Sequence, residues 1–193
     1  MVLTYSTMLP LGTKAPDFTL SDVVNNEPVS LAKFADKKGL LVMFICKHCP
    51  YVVHIKDELI KIGQDYSNRD LGIVGISSTD AESYPADAPE SLKEFALSSA
   101  LAFPLLFDAD LSVAKAYTAA CTPDFFVFDQ ERKLVYRGQL DDSRPGNNLP
   151  LSGKDLRAAL DAVLHGSAVN PEQKPSVGCN IKWKAGNEPS YFG

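Results

Sequence analysis

The residues best suited to chemistry in this sequence are two cysteines, Cys46 and Cys49, which form a CxxC motif. Sulfur pairs at this spacing either bind a metal ion or cycle between a dithiol and a disulfide. A structural zinc ion takes four ligands, which usually come as two such pairs. Because the remaining cysteines, Cys121 and Cys179, are single and far apart in the sequence, the pattern favours redox chemistry, and we expect no bound metal.

Two elements must position this motif, a strand before it and a helix after it. Residues Leu40 to Ile45 form an unbroken apolar run, which is typical of a strand buried on both faces. In residues 49–66, apolar side chains recur at helical spacing. The free N–H groups and the positive dipole end of a helix N-terminus stabilise a thiolate, which is the reactive form of cysteine. The placement therefore predicts a reactive thiol.

His48 is a candidate for tuning the motif because it lies between the two cysteines. An imidazolium, or a ring N–H, beside Cys46 would stabilise a thiolate there. The alternative is a solvated loop histidine without a tuning role.

The rest of the chain alternates strands and helices. Strands are predicted at Leu71–Ser77, Phe103–Phe107, Phe125–Phe128 and Leu134–Gly138, the last two as a hairpin. Helices are predicted at 89–100, 111–118 and 152–165, with Asp87 and Ser152 as N-caps. Strands that alternate with helices form a central sheet covered by helices on both faces, and the closing hairpin makes that sheet mixed. The predicted fold class is therefore α/β.

Both ends of the chain add to this core. Residues 16–31 are predicted to form an N-terminal β-hairpin extension around a polar turn. Residues 167–193 are predicted to be an irregular C-terminal tail that packs on the domain, because it contains Cys179, Ile181, Trp183, Tyr191 and Phe192. For Cys179, a structural role is favoured over a place at the site. Residues 1–193 are expected to form a single domain.

Composition narrows the classes of function. The chain has 193 residues and a net charge of −5, so it lacks the basic surplus that binds nucleic-acid phosphates. No apolar run reaches the roughly 18 residues that a membrane helix needs, and no signal peptide is visible. We therefore expect a cytoplasmic protein without nucleic-acid or membrane partners. Four cysteines are also too few for a secreted domain whose fold is stabilised mainly by disulfides.

Together these features resemble the thioredoxin fold, which has a CxxC motif at its first core helix and a Thr-Pro pair before its hairpin, as Thr122-Pro123 is here. The segment APDFTL and the longer chain resemble the redoxin branch of that superfamily, the alkyl hydroperoxide reductase/thiol-specific antioxidant proteins. The stretches CKHCPYVVHI, CTPDFFVFD and PSVGCNIKWK are similar to a peroxiredoxin-like group within it.

The resemblance implies a role for each site residue. Cys46 would be the attacking thiol and Cys49 the resolving one, and Pro123 would be a cis-proline that faces them. Thr122 would offer backbone hydrogen bonds to a bound substrate. Cys121, two residues before Pro123, would lie near the motif, either shaping it or serving as a small buried hydrophobe.

The sequence departs from the relatives that it resembles in two ways. Thioredoxins carry Trp-Cys-Gly-Pro-Cys and a buried Asp on the preceding strand. Here Ile45 and Lys47-His48 replace the first motif, and Leu40 to Ile45 contains no acid, so the proton acceptor for Cys49 is unassigned. Peroxiredoxins carry Pro-x-x-x-Thr/Ser-x-x-Cys, and this signature is missing.

We therefore expect a thiol–disulfide oxidoreductase that acts on a disulfide-containing protein or small molecule and is reduced by a dithiol protein or a small thiol. No bound cofactor is needed. The alternatives are a peroxiredoxin-like thiol peroxidase, in which a sulfenic acid forms first, and a non-enzymatic redox sensor. Disulfide turnover separates an enzyme from a sensor, and peroxide consumption identifies the peroxidase.

Overall fold

The computed structural model describes residues 3–192. Its strands are β1 (Leu3–Tyr5), β2 (Thr19–Asp22), β3 (Pro28–Ser30), β4 (Gly39–Phe44), β5 (Leu71–Ser77), β6 (Leu105–Phe107), β7 (Cys121–Thr122), β8 (Asp124–Phe128), β9 (Leu134–Gly138) and β10 (Val177–Asn180). Its α-helices are α1 (Pro50–Tyr66), α2 (Pro89–Ser98), α3 (Ser112–Ala116) and α4 (Lys154–Leu164). Among these described residues, no helix combines the length and the apolar character that crossing a bilayer requires.

The central sheet is mixed, as predicted, and its strand order is β3-β2-β6-β5-β4-β8-β9. Strands β4, β5 and β6 run parallel, whereas β8 lies antiparallel to β4 and forms a hairpin with β9. The predicted N-terminal hairpin is present as β2 and β3, and it joins the sheet through β6. Strand β4, which leads into the CxxC motif, therefore lies inside the sheet between β5 and β8.

Apolar cores lie on both faces of this sheet. Successive side chains of a strand point to opposite faces, so Leu41 and Met43 of β4 pack in one core and Val42 and Phe44 in the other. Helices α1, α2 and α4 contribute side chains to the first core, and α3 contributes to the second. Helices on both faces of a mixed sheet confirm the predicted α/β class.

Two predicted helix caps are wrong. The N-cap of α4 is Gly153, at a φ of +66°, and the backbone N–H groups of Ser152 and Gly153 both donate to Asp141 at 2.6 Å. The N-cap of α2 is Ala88, and the Asp87 carboxylate accepts N–H groups from a different loop. In both cases the tertiary structure brings together a carboxylate and backbone donors that are distant in sequence, so local spacing does not predict the pairing.

The C-terminal segment packs on the domain as predicted, but it is not wholly irregular. Val177–Asn180 form β10, which lies between β1 and β7 in a separate antiparallel sheet. Ile181 and Trp183 are buried after it, whereas Phe192 is exposed. The sequence pattern does not predict this strand, because both of its partners are distant along the chain and backbone pairing forms it.

Candidate redox site

The CxxC motif lies where β4 ends and α1 begins. Cys49 is the N-cap of α1 and Pro50 is the first residue of that helix. Proline suits this position because its missing N–H would have no partner inside the helix. Cys46 is 4% exposed and Cys49 is 0% exposed, so the Cys46 side chain is the one nearer to solvent.

The two motif thiols share one proton. A hydrogen bond from the Cys46 thiol lowers the pKa of Cys49 to about 4, and the Cys179 thiol and the Val52 N–H act in the same direction, against the effect of burial. The same bond, burial and the negative charge of Asp87 raise the pKa of Cys46 well above its ordinary value. These opposite shifts favour the thiolate on Cys49, whereas the sequence analysis places the thiolate on Cys46.

A cis-proline loop faces the motif, as the resemblance implies. The Thr122–Pro123 peptide bond is cis. The Thr122 hydroxyl lies 3.3 Å from Cys46 Sγ, and the Thr122 carbonyl oxygen lies 3.1 Å from Cys49 Sγ. The carbonyl accepts the thiol proton when Cys49 carries it, and the hydroxyl donates when Cys46 is a thiolate. The loop therefore offers a hydrogen-bond partner to the motif whether the proton lies on Cys46 or on Cys49.

The backbone of Thr122, which the resemblance assigns to substrate binding, already has a partner strand. Thr122 lies opposite Cys179 in the antiparallel pair of β7 and β10. Substrate binding by Thr122 stays a prediction, and a substrate that used this edge would have to replace β10.

Asp87 is a site residue that the sequence analysis does not identify. Its carboxylate accepts the backbone N–H groups of Lys47 at 2.7 Å and His48 at 3.4 Å, and it pairs with the His48 ring at Nδ1. Asp87 lies in the connection between β5 and α2, and β5 is the parallel neighbour of β4. Loops that follow parallel neighbours meet at the same sheet edge, and this topology is the signal that could have identified Asp87.

His48 has defined partners in the site. The hydrogen bond to Asp87 raises the pKa of His48, and the negative charges of Asp87 and Cys49 add to that rise, against the effect of burial. The ring also stacks on Tyr84, with ring centroids 5.5 Å apart. The His48 ring is therefore not free in solvent, and whether it tunes the thiols or has no tuning role stays untested.

Cys46, His48 and Asp87 could together hold a metal ion. One sulfur, one ring nitrogen and one carboxylate oxygen from these residues all lie within 4.8 Å of one another. Zinc accepts all three ligand types and takes a fourth ligand to complete a tetrahedron. The expectation of no bound metal stays a prediction.

Cys121 packs behind the loop. It is fully buried, and its thiol donates to the carbonyl oxygen of Pro123 at 3.5 Å. Burial and the charge of Asp124 raise the pKa of Cys121 well above its ordinary value. Cys121 is therefore a buried neighbour of the site, and whether it shapes the motif stays a prediction.

Cys179 lies in the site, although the sequence analysis favours a purely structural role for it. Its Sγ atom is 3.0 Å from that of Cys49. Burial, the hydrogen bond with Cys49 and the charge of Cys49 raise the pKa of Cys179 to about 12. The apolar tail predicts packing on the domain but not this contact, because the pairing of β10 with β7 decides where the thiol lies.

Comparisons with known proteins find relatives for most of the chain. A family model described as the AhpC/TSA family matches residues 11–137. A curated protein of Mycobacterium tuberculosis (strain ATCC 25618 / H37Rv), whose name assigns it provisionally to the peroxiredoxins, is 33% identical over 149 residues. The match spans 69% of this chain and 87% of that protein.

Solved structures are similar over most of the chain. An uncharacterized conserved protein from Geobacillus kaustophilus has a TM-score of 0.93 and 49% identity, over 95% of this chain and 97% of that one. The thioredoxin domain of a thiol-disulfide oxidoreductase from Bacteroides vulgatus has a TM-score of 0.57 and 24% identity, over 71% of this chain and 91% of that one. The second likeness shows the fold, which is thioredoxin-like as the resemblance implies.

Proposed function

The chain belongs to the AhpC/TSA family, in the redoxin branch of the thioredoxin-like superfamily, and on this basis we propose that it is a thiol–disulfide oxidoreductase with a Cys46–Cys49 dithiol cycle. The observation that carries the proposal is the pair of neighbouring thiols at the start of α1, facing the cis-proline loop. One of these thiols ionises far below the ordinary range, and the thiolate is the form that attacks disulfides.

Cys46 attacks first in this cycle because it is the more exposed of the pair. The shared proton moves from Cys46 to Cys49, and the Cys46 thiolate attacks one sulfur of the substrate disulfide. A bond between Cys46 and that sulfur forms, the substrate S–S bond breaks, and the other substrate sulfur leaves as a thiolate. The leaving thiolate takes the proton from Cys49.

Cys49 then resolves the mixed disulfide. Its thiolate attacks Cys46 Sγ, a Cys46–Cys49 disulfide forms, and the bound substrate sulfur leaves as a thiolate. The Cys46 thiol no longer donates in the mixed disulfide, but the Cys179 thiol and the Val52 N–H, which also lower the pKa of Cys49, still favour its thiolate in this step. The substrate, a protein or small-molecule disulfide, has gained two electrons, and a dithiol protein or small thiol returns two electrons to the pair without a bound cofactor. We place this chemistry in the cytoplasm, where such reductants are abundant.

A peroxiredoxin-like peroxidase is the second candidate, and the lowered pKa of Cys49 favours it. A Cys49 thiolate that attacked a peroxide would become a sulfenic acid, and an alcohol or water would leave. Two observations count against this candidate: Cys49 is fully buried, and the peroxiredoxin signature is missing around it.

Turnover of a small aromatic disulfide with dithiothreitol tests the proposal. We expect the wild-type protein to turn over, Cys46→Ser to lose turnover, and Cys49→Ser to accumulate a mixed disulfide on Cys46 that mass spectrometry detects. Cys121→Ser is the matched control for the loss of a buried thiol. An adduct on Cys49 in Cys46→Ser, with none on Cys46 in Cys49→Ser, would reverse the two roles. Peroxide consumption without disulfide turnover would favour the peroxidase, and inactivity in both assays would favour a sensor.

A further inference from the structure

The C-terminal strand brings a third thiol into contact with the motif. Strand β10 runs antiparallel to β7, and Cys179 lies opposite Thr122, the residue before the cis-proline. In this register the Cys179 and Cys49 sulfur atoms are 3.0 Å apart, and both residues are buried. The contact joins sulfur atoms that are 130 positions apart in the sequence.

This thiol is held in place on both edges of its strand. On one edge Leu3 of β1 lies opposite Cys179. On the other edge Gly178 approaches so closely that a Cβ atom there would lie 2.0 Å from the Thr122 carbonyl oxygen. The Ile181 N–H, just after the strand, donates to the Ala120 carbonyl at 3.1 Å. A reactant fixed in contact with its partner loses little entropy on reaction, so the position of Cys179 suits exchange with Cys49.

The proton balance around Cys179 depends on the redox state of Cys49. In the reduced form, burial and the bond with Cys49 keep Cys179 protonated. When Cys49 enters a disulfide, its charge is lost, and with it one of the causes that raise the pKa of Cys179. The nearby Lys182 charge, which lowers that pKa, remains. Cys179 therefore ionises more easily once the motif is oxidised, which is when a nucleophile beside Cys49 has a disulfide to attack.

We propose that Cys179 is a third redox-active thiol, which attacks Cys49 Sγ in the Cys46–Cys49 disulfide. A Cys49–Cys179 bond forms, the Cys46–Cys49 bond breaks, and Cys46 leaves as a thiolate that takes up the proton lost by Cys179. The number of disulfides is unchanged, so the exchange needs no further oxidant. The proposed exchange rests on the proposed function only for the formation of the Cys46–Cys49 disulfide.

The exchange gives the oxidised protein a second form. In that form the disulfide is buried and joins β10 to the start of α1, while Cys46, the more exposed of the motif pair, is again a free thiol. The disulfide of this oxidised form therefore excludes Cys46, the residue that attacks the substrate in the proposed cycle.

Disulfide mapping tests the proposal. Reduced wild-type protein is treated with one equivalent of diamide, quenched in acid, blocked with N-ethylmaleimide and digested with trypsin without reduction. Because Lys47 separates the motif cysteines, trypsin places them in different peptides, and mass spectrometry distinguishes the two linkages. We expect a Cys49–Cys179 linkage with N-ethylmaleimide on Cys46. Wild-type protein in which Cys49 is linked to Cys46 alone would overturn the proposal.

Variants separate this proposal from the proposed function. Cys46→Ser cannot turn over a substrate by the proposed cycle, yet it should lose two thiols to diamide and contain the Cys49–Cys179 linkage. Cys179→Ser should contain only the Cys46–Cys49 linkage. Cys121→Ser, which removes a buried thiol beside the site, is the matched control and should retain the wild-type pattern. Absence of disulfide turnover in the wild type would contradict the proposed function while leaving the mapped linkage intact.

Discussion

At the residue scale, the chemistry of the site depends on how protons are shared between neighbouring thiols. Cys49 accepts hydrogen bonds from the thiols of Cys46 and Cys179, and these bonds, burial and the charge of Cys49 raise the pKa of both of those thiols. In such a cluster the titration belongs to the group of sulfur atoms and not to one residue. A change in one thiol is therefore expected to move the ionisation of the others.

Removal of the Cys179 donor should raise the pH at which the first thiolate forms. In the wild type, the ultraviolet absorbance of the thiolate is expected to rise with a midpoint at about pH 4. In Cys179→Ala the midpoint should rise by roughly one pH unit, because a hydrogen bond to a charged group contributes about 1.5 kcal/mol. Cys179→Ser, which keeps a donor, is the matched control. Equal midpoints in Cys179→Ala and the wild type would contradict the assignment of Cys179 as a hydrogen-bond donor to the Cys49 thiolate.

His48 should make the motif more oxidising, because its cation stabilises the thiolate of the reduced form. We expect a potential above the roughly −270 mV of thioredoxin, and a value more negative by about 20–30 mV in His48→Ala. Since the pKa of His48 is raised by Asp87, the difference should be largest at low pH and fade as the pH rises through that pKa.

Potentials measured against a glutathione buffer at several pH values check this prediction. His54→Ala is the control, because the His54 ring bonds to Ser143 rather than to the thiols or Asp87. A potential that does not respond to His48→Ala would show that this histidine has no tuning role.

At the element scale, the site is assembled by the pairing of β10 with the cis-proline loop. The close approach of the two backbones requires a residue without a Cβ atom at position 178, since any Cβ there would meet the Thr122 carbonyl oxygen and the Pro123 ring. Backbone atoms cannot move aside as flexible side chains do, so a larger residue must displace the strand itself.

Gly178→Ala should therefore destabilise the protein and separate Cys179 from Cys49. The expected loss is roughly 1–3 kcal/mol in the free energy of unfolding, which is typical of overpacking, and urea denaturation measures it. Val177→Ala removes volume from the same strand without adding an atom near Thr122. This variant is the control, and it should lower the free energy of unfolding by less than Gly178→Ala does. If Gly178→Ala were as stable as the wild type and retained the Cys49–Cys179 linkage, the close approach would not be required.

At the scale of the whole molecule, a fully buried ion pair supports the cis-proline loop from behind. Arg137 Nη2 lies 3.2 Å from the carboxylate of Asp124, the residue after the cis-proline. The guanidinium also donates to the hydroxyl of Thr118 at 2.9 Å and to its carbonyl at 2.7 Å, and it lies over the Phe126 ring at 4.4 Å. A single side chain thereby connects β9, β8 and the segment before β7.

Arg137→Met should destabilise the fold by about 3–5 kcal/mol at neutral pH, because it leaves a buried carboxylate without its partner. Burial already raises the pKa of Asp124, and loss of the cation should raise it further. A folded-state pKa above the unfolded value means that protonation stabilises the fold. The destabilisation should therefore shrink as the pH falls through the Asp124 pKa.

Urea denaturation of both proteins at several pH values measures this dependence. Arg69→Met, which breaks the exposed pair with Asp161, is the control and should cost less than about 1 kcal/mol. If the loss in the free energy of unfolding of Arg137→Met stayed constant with pH, Asp124 would not titrate in the folded protein.

The sequence alone determined strand β4, helix α1 and the place of the CxxC motif between them. The apolar run at Leu40 to Ile45 and the helical spacing after it predict β4 and α1, because these patterns depend on residues that are close along the chain. The CxxC motif at their junction predicts thiol chemistry for the same reason, and the resemblance correctly identified the cis bond at Pro123.

Only the tertiary structure decided which groups surround that pair. Asp87 reaches the motif because β5 is the parallel neighbour of β4, and Cys179 reaches it because β10 pairs with β7. The pKa of Cys49 is lowered because hydrogen-bond donors converge on it from the motif, β10 and α1. Contacts of this kind depend on strand order and register, which arise from the packing of the whole chain and leave no local pattern in the sequence.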